Sequence, residues 1–168
     1  MDNVALIFPG QGSQYVGMGR ALAEAHPAAA AVFETVDAAL GESLSQLCWE
    51  GPADTLELTI NAQPAILACS IAYLRALEDL GALPMSPRFH AGHSMGQYSA
   101  MVAAGVLELA DAARLVRERG RQMQASAENG AMAAIIGLPD DALPALEAAG
   151  RAAGVFTIAN RNSPGQSW

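Results

Sequence analysis

Apolar residues run unbroken through Val4-Ala5-Leu6-Ile7-Phe8 and stop at Pro9-Gly10. A short run closed in this way predicts a buried strand of a parallel sheet covered on both faces. A loop follows, Gly10-Gln11-Gly12-Ser13-Gln14. Helical patterns then cover about 19–25 and 28–40, divided by Pro27, and Gly51-Pro52 punctuates the chain. Over 62–80, Ala65, Ala68, Ala72 and Ala76 recur beside Leu67, Ser70, Leu74 and Leu77, which predicts one long helix. Residues 81–87 break it. Arg88-Phe89-His90-Ala91 predicts a short strand, and Gly92 to Gly96 turns it into a helix reaching about Val106. An amphipathic helix is expected over 109–125. Beyond Gly130 the texture changes. A strand over 131–137, a helix over 140–149 and a strand over 155–159 make a short βαβ-like piece, which starts a separate subdomain near residue 129.

The 168 residues suffice for one domain with a real core and are too few for two ordinary ones. The chain is 52% hydrophobic and 15% charged, against roughly 25% charged in an average soluble protein. That balance excludes a disordered chain. No apolar run reaches the roughly 18 residues of a membrane span. The first residues have neither a basic n-region nor a long apolar h-region, so the expectation is a soluble, cytoplasmic protein with no membrane partner. The net charge is -8 and lysine is absent, all nine cations being arginine. So acidic a chain is a poor nucleic-acid binder. Cys48 and Cys69 have neither CxxC nor metal-ligand spacing, so no metal site is expected and both read as buried apolar thiols.

Two segments carry candidate chemistry. Gly92-His93-Ser94-Met95-Gly96 fits G-x-S-x-G between a predicted strand and a predicted helix. In a nucleophile elbow the turn is so tight that small residues must flank the serine, which is pushed to the tip above a helix N-terminus. The free amides of that terminus can hold a developing oxyanion. The loop after the first strand would lie on the same sheet edge, where open α/β sheets bind ligands. It lacks the Walker lysine and a full G-x-G-x-x-G. Its better use is one oxyanion amide; the alternative is an ordinary glycine turn. Arg114, Arg117, Arg119 and Arg121 cluster within eight residues. The first, second and fourth share one helix face, with Arg119 pointing elsewhere. A solvated face is the plain reading, and a patch for an acidic partner is the other. His26, His90 and His93 each read more simply as structural.

Phe8-Pro9-Gly10-Gln11-Gly12-Ser13-Gln14, Gln63-Pro64-Ala65, Gly92-His93-Ser94-Met95-Gly96, Arg119-Gly120 and Asn160-Arg161-Asn162-Ser163-Pro164-Gly165-Gln166 occur in this order. Together they resemble the malonyl-CoA:acyl carrier protein transacylases and the acyltransferase domains of fatty acid and polyketide synthases, along the chain from residue 4 to about 166. The resemblance implies an α/β fold. Residues 1–128 would be the N-terminal part of an α/β-hydrolase-like large domain with a parallel sheet. Residues 129–168 would be the start of an inserted ferredoxin-like small subdomain. It implies Ser94 as the acylated nucleophile and the backbone N–H groups of Gln11 and Met95 as the oxyanion hole. Arg119 would pair in bidentate fashion with the free malonyl carboxylate, a task for arginine's planar fork. Gln63 and His93 would line the pocket, and Asn160 and Asn162 would approach it from the small subdomain. Malonyl-CoA and a phosphopantetheinylated acyl carrier protein are the implied substrates, with no bound cofactor.

Gln97 stands where the family usually has glutamate. Members of the family are nearly twice this long, with the catalytic histidine in the second half, so these residues alone are expected to lack a base for Ser94 and to leave an exposed sheet edge and apolar faces. The resemblance implies a ping-pong acyl transfer. A polyketide-type acyltransferase with another extender unit, a serine esterase sharing only the elbow, and a non-catalytic binding fragment are the rival readings.

Overall fold

β1 (Ala5–Phe8) lies parallel to β2 (Phe89–Gly92), with Phe8 opposite Gly92. The computed structural model describes residues 4–83, 87–126 and 131–167, and the chain divides into two units, Met1–Ser126 and Ala127–Trp168. In the first unit, α1 (Arg20–Ala25), α2 (Pro27–Leu40), α3 (Leu44–Glu50), α4 (Ala53–Glu57) and α5 (Thr59–Asp79) lie between the strands. α6 (Gly96–Ala103) and α7 (Leu109–Ser126) follow β2.

α2 opens at Pro27, whose missing N–H is no loss in a first turn, and closes at Gly41 in a left-handed conformation, φ 69°. Between them Ala29, Val32, Phe33 and Val36 form one buried stripe. α5 is buried on almost every side from Ala62 to Ala68, and it packs against α7, α2 and α6. Its alanines are small enough for these neighbours to approach closely, while Ile66, Leu67 and Ile71 fill the spaces between. Each of the three contributes about 1.5–3 kcal/mol by leaving water.

The covered-strand expectation is corrected. Leu6 and Phe8 join the core, but Ile7 is 78% exposed and Phe89 is 62% exposed. Alternate side chains of a strand point to opposite faces, and among the described residues this sheet has two strands with one face toward the helices. The helix expected to reach Val106 ends at Ala103, because Gly105 takes φ 70° and turns the chain. The short helices α3 and α4 were not anticipated.

The second unit is built differently from its expected βαβ pattern. β3 (Ile135–Ile136), β4 (Arg161–Ser163) and β5 (Gln166–Ser167) form an antiparallel sheet in the order β3-β5-β4. α8 (Leu143–Ala153) follows a 3₁₀ turn over Asp140–Ala142. Residues 155–159 form no strand. Phe156 instead packs its ring on α8 at Gly150, where an added Cβ would lie 2.3 Å from it. Pairing starts later, around the Pro164-Gly165 turn, with Gly165 at φ 74°. Among the described residues no helix is long and apolar enough to cross a membrane, and no cluster of metal-ligating side chains occurs.

Candidate active site

Parallel pairing brings the ends of β1 and β2 to one edge, and the His93 N–H extends the ladder by donating to the Phe8 carbonyl at 3.1 Å. The turn beyond it is tight. An added Cβ on Gly92 would stand 2.0 Å from the carbonyl carbon of Gly96, and one on Gly96 would stand 2.5 Å from the carbonyl oxygen of Phe8. No larger residue fits either flank. Ser94 itself sits at φ 51°, the one described non-glycine residue with a positive φ, a strained position of the kind that collects at functional sites. Its neighbour Met95 is fully buried as the first residue before α6. Among the described residues no hydrogen bond is made by the backbone N–H of Met95 or of Gln11. The loop carrying Gln11 lies against the elbow, with the His93 carbonyl and ring each 2.8 Å from where a side chain on Gly10 would begin.

α7 brings a cation to the serine. Arg119 donates from Nη2 to Ser94 Oγ at 3.0 Å and from Nη1 to Gln63 Oε1 at 2.8 Å. Gln63 is fully buried in α5, and its amide donates to Met123 Sδ at 3.3 Å. The approach of the two helices depends on Gly120, because a Cβ there would fall 2.7 Å from the Thr59 carbonyl oxygen. The same turn of α5 reaches the loop after β1, where Gln11 Nε2 donates to Thr59 Oγ1 at 3.1 Å.

The four arginines of α7 are therefore no uniform patch. Arg114 pairs with Asp111 at 2.9 Å and Arg121 with Glu118 at 2.7 Å, both toward solvent. Hydrogen bonds from Arg121 and Gln122 hold the Glu118 carboxyl down to about 2. Arg117, placed by its spacing on the same face as these two, is instead half-buried. It pairs with Glu42 and bonds Ile60 O and Asn61 Oδ1, and burial lowers its pKa. Arg119 meets no carboxylate among the described residues. A guanidinium only donates, so it cannot take the Ser94 proton; what it can do is receive an anion beside the hydroxyl.

The structure thus joins Ser94, Arg119 and Gln63 by direct bonds and lays the Gln11 loop beside them. His93 is exposed next to Gly10, and Gln97 is exposed on α6. Asn160 and Asn162 are exposed in the second unit, the latter on β4. His26 precedes α2, its carbonyl accepting from Ala29 and Ala30, and His90 pairs with Leu6 on the strands. Cys48 and Cys69 are free thiols that burial pushes up to about 12 and about 11. Thr59, Met123 and Arg117 were not singled out beforehand as partners of this site.

A serine on an elbow thus lies beside a cation that pairs with no carboxylate among the described residues. The profile of the acyl transferase domain family matches residues 5–164. The chain belongs to that family. This acyl transferase chain is 46% identical over 169 residues to the malonyl CoA-acyl carrier protein transacylase of Bacillus subtilis, which covers 99% of it and 52% of that protein. It is 47% identical to the enzyme of the same name from Escherichia coli K12, covering 99% and 54%. Among solved structures it resembles a malonyl-transacylase in complex with a type II polyketide synthase acyl carrier protein. That match has a TM-score of 0.90 and 39% identity, and covers 99% of this chain and 54% of that one. The acyl transferase chain spans about half the length of these relatives.

Proposed function

We propose that these residues supply the nucleophile and the acid-binding group of a malonyl-CoA:acyl carrier protein transacylase. The observation that carries this reading is the Arg119 Nη2–Ser94 Oγ distance of 3.0 Å. In an ester on Ser94, the malonyl carboxylate lies two bonds beyond the acyl carbon, so its charge falls close to the serine. A cation this near suits a short dicarboxylic acyl group, and it leaves an esterase without a use for it.

In the first half-reaction, Ser94 Oγ attacks the thioester carbon of malonyl-CoA. The Gln11 and Met95 N–H groups receive the negative charge on the carbonyl oxygen, the C–S bond breaks, and CoA leaves as the thiol after taking a proton. In the second, the phosphopantetheine thiol of the carrier protein attacks the acyl-serine, and the proton returns to Ser94. Arg119 holds the malonyl carboxylate through both steps, and Gln63 keeps its fork in plane. His93 borders the pocket. Residues 129–168 are read as the first part of a ferredoxin-like subdomain, and residues 1–128 as part of an α/β-hydrolase-like domain. The base that takes the Ser94 proton belongs, by the family resemblance, to the half of the relatives that this chain does not span. The reaction joins no cofactor, and it suits a cytoplasmic protein serving fatty acid biosynthesis. The polyketide carrier bound by one structural relative supports a second reading, in which the acceptor is a polyketide carrier protein.

Intact mass after incubation with malonyl-CoA tests the proposal. The full-length protein is expected to gain one malonyl group, Ser94→Ala none; an adduct that persists in Ser94→Ala overturns it. Comparing fatty acid and polyketide carrier proteins as acceptors separates the two readings.

A further inference from the structure

Pro64 lies inside α5, six residues into the helix. A proline has no N–H, so the carbonyl four residues before it, that of Ile60, loses its usual helical partner. This carbonyl is not left unpaired: Arg117 Nη1 donates to it at 2.9 Å and also to Asn61 Oδ1 at 2.5 Å. The other end of the guanidinium meets Glu42, just beyond α2. One half-buried cation therefore ties α7 to the opening turn of α5 and to the α2–α3 connection.

That turn also carries the acid-binding machinery. Gln63 immediately precedes Pro64, and Arg119 is two residues beyond Arg117. On α7, Ala112, Ala113, Val116 and Gly120 form the buried stripe, and Arg117 and Arg119 flank it on opposite sides. Gly120 permits contact with Thr59 and Ile60, and Gln124 Oε1 accepts from the Ile60 N–H at 3.2 Å. Permission to approach does not set the register of two helices. Directed bonds to a carbonyl and an amide do, and charge-assisted ones do so most firmly.

We infer that Arg117 is a positioning residue for carboxylate recognition: by capping the carbonyl that Pro64 frees, it sets the register in which Gln63 holds Arg119 toward Ser94. The inference rests on the proposed role of Arg119. Loss of Arg117 lets the first turn of α5 shift against α7, and Gln63 Oε1 no longer meets Arg119 squarely. The cost falls on substrates that need the Arg119 fork, and acyl groups without a carboxylate are spared.

The test measures kcat and KM for malonyl-CoA and acetyl-CoA in the full-length protein. Arg117→Ala is expected to lower kcat/KM for malonyl-CoA about tenfold, chiefly through KM, and to leave acetyl-CoA within about twofold. Asn61→Ala, which keeps the Glu42 pair, is expected to shift the malonyl-to-acetyl ratio the same way by a smaller factor, and it decides the matter if Arg117→Ala does not fold. Arg117→Lys should restore the ratio in part, having one donor arm for the Ile60 carbonyl. Equal losses for both donors, or an unchanged ratio in folded variants, overturn the inference. Arg119→Ala serves as the reference. If it leaves the ratio unchanged, the role of Arg119 itself fails; if it collapses the ratio while Arg117→Ala and Asn61→Ala do not, only the positioning role fails.

Discussion

The two sides of α7 use the same residue type for opposite ends. On its outer face Arg114 and Arg121 are more than half exposed and each is paired with an acid one turn away. Such pairs are screened by water and contribute little. On its inner edge Arg119 is half-buried, bonded to a fully buried amide and a serine hydroxyl, and meets no carboxylate among the described residues. A cation with no carboxylate partner among the described residues is unfavourable in a partly dry site, and under the proposed function an anionic acyl group would recover that cost. The difference shows that what an arginine does here depends on which acids the fold denies it.

Arg119→Ala should break the contrast most sharply. Under the proposed function it is expected to lower kcat/KM for malonyl-CoA by about two orders of magnitude or more, while acetyl transfer changes little or improves. Arg119→Lys should stay well below wild type, because an ammonium lacks the fork that spans Gln63 and an anion. Equal losses for malonyl and acetyl donors would make Arg119 structural.

Gly120→Val acts on the contact between helices and not on the charge. Its side chain enters the Thr59–Ile60 backbone, which cannot move aside as a flexible side chain would. A destabilisation of about 1–3 kcal/mol is expected, with a loss of malonyl preference. A variant that melts like wild type and keeps its preference would show that α5 and α7 need not lie this close.

On the outer face, Arg114→Ala and Arg121→Ala are expected to keep malonyl transfer within about twofold and the melting temperature within about 2 °C. A tenfold loss of transfer to the carrier protein, with acylation of Ser94 intact, would instead give this face the docking role that its sequence allowed.

The smallest effect concerns the thiols. Burial raises Cys48 to about 12 and Cys69 to about 11, so the reactive thiolate is scarce near pH 8. Alkylation of the native protein should be slow, and should quicken as pH rises toward 11 or when urea opens the core. In Gly120→Val, where α5 loses its fit to α7, Cys69 should react faster than in wild type. Rapid labelling of native wild-type protein would contradict this packing.

Much of the first unit was legible along the chain. The run at 4–8, the alanine and leucine spacing of 62–80 and the G-x-S-x-G between strand and helix are local signals, and each appears as an element or a turn in the expected place. α3 and α4 were missed because each is too short to show a period. The strand expected over 155–159 was misplaced. Apolar content alone cannot tell a paired strand from an extended segment packed on a helix, and here Phe156 chose α8.

For the site, the sequence by itself determined which groups could act. It required glycines around Ser94, because the elbow clashes with anything larger, and it marked Gln63, Arg119 and Gly120 through motifs shared with a family. It placed Arg117 on a face with Arg114 and Arg121, as helical spacing demands. Only the tertiary structure decided that Arg117 turns inward to a carbonyl freed by Pro64, that Gln63 and Arg119 meet across 56 positions of chain, and that Arg119 meets no carboxylate among the described residues. Spacing fixes the direction in which a side chain leaves its own helix. Whether it meets water, an acid or a carbonyl depends on which distant backbone stands there, and that is settled by packing between α5 and α7.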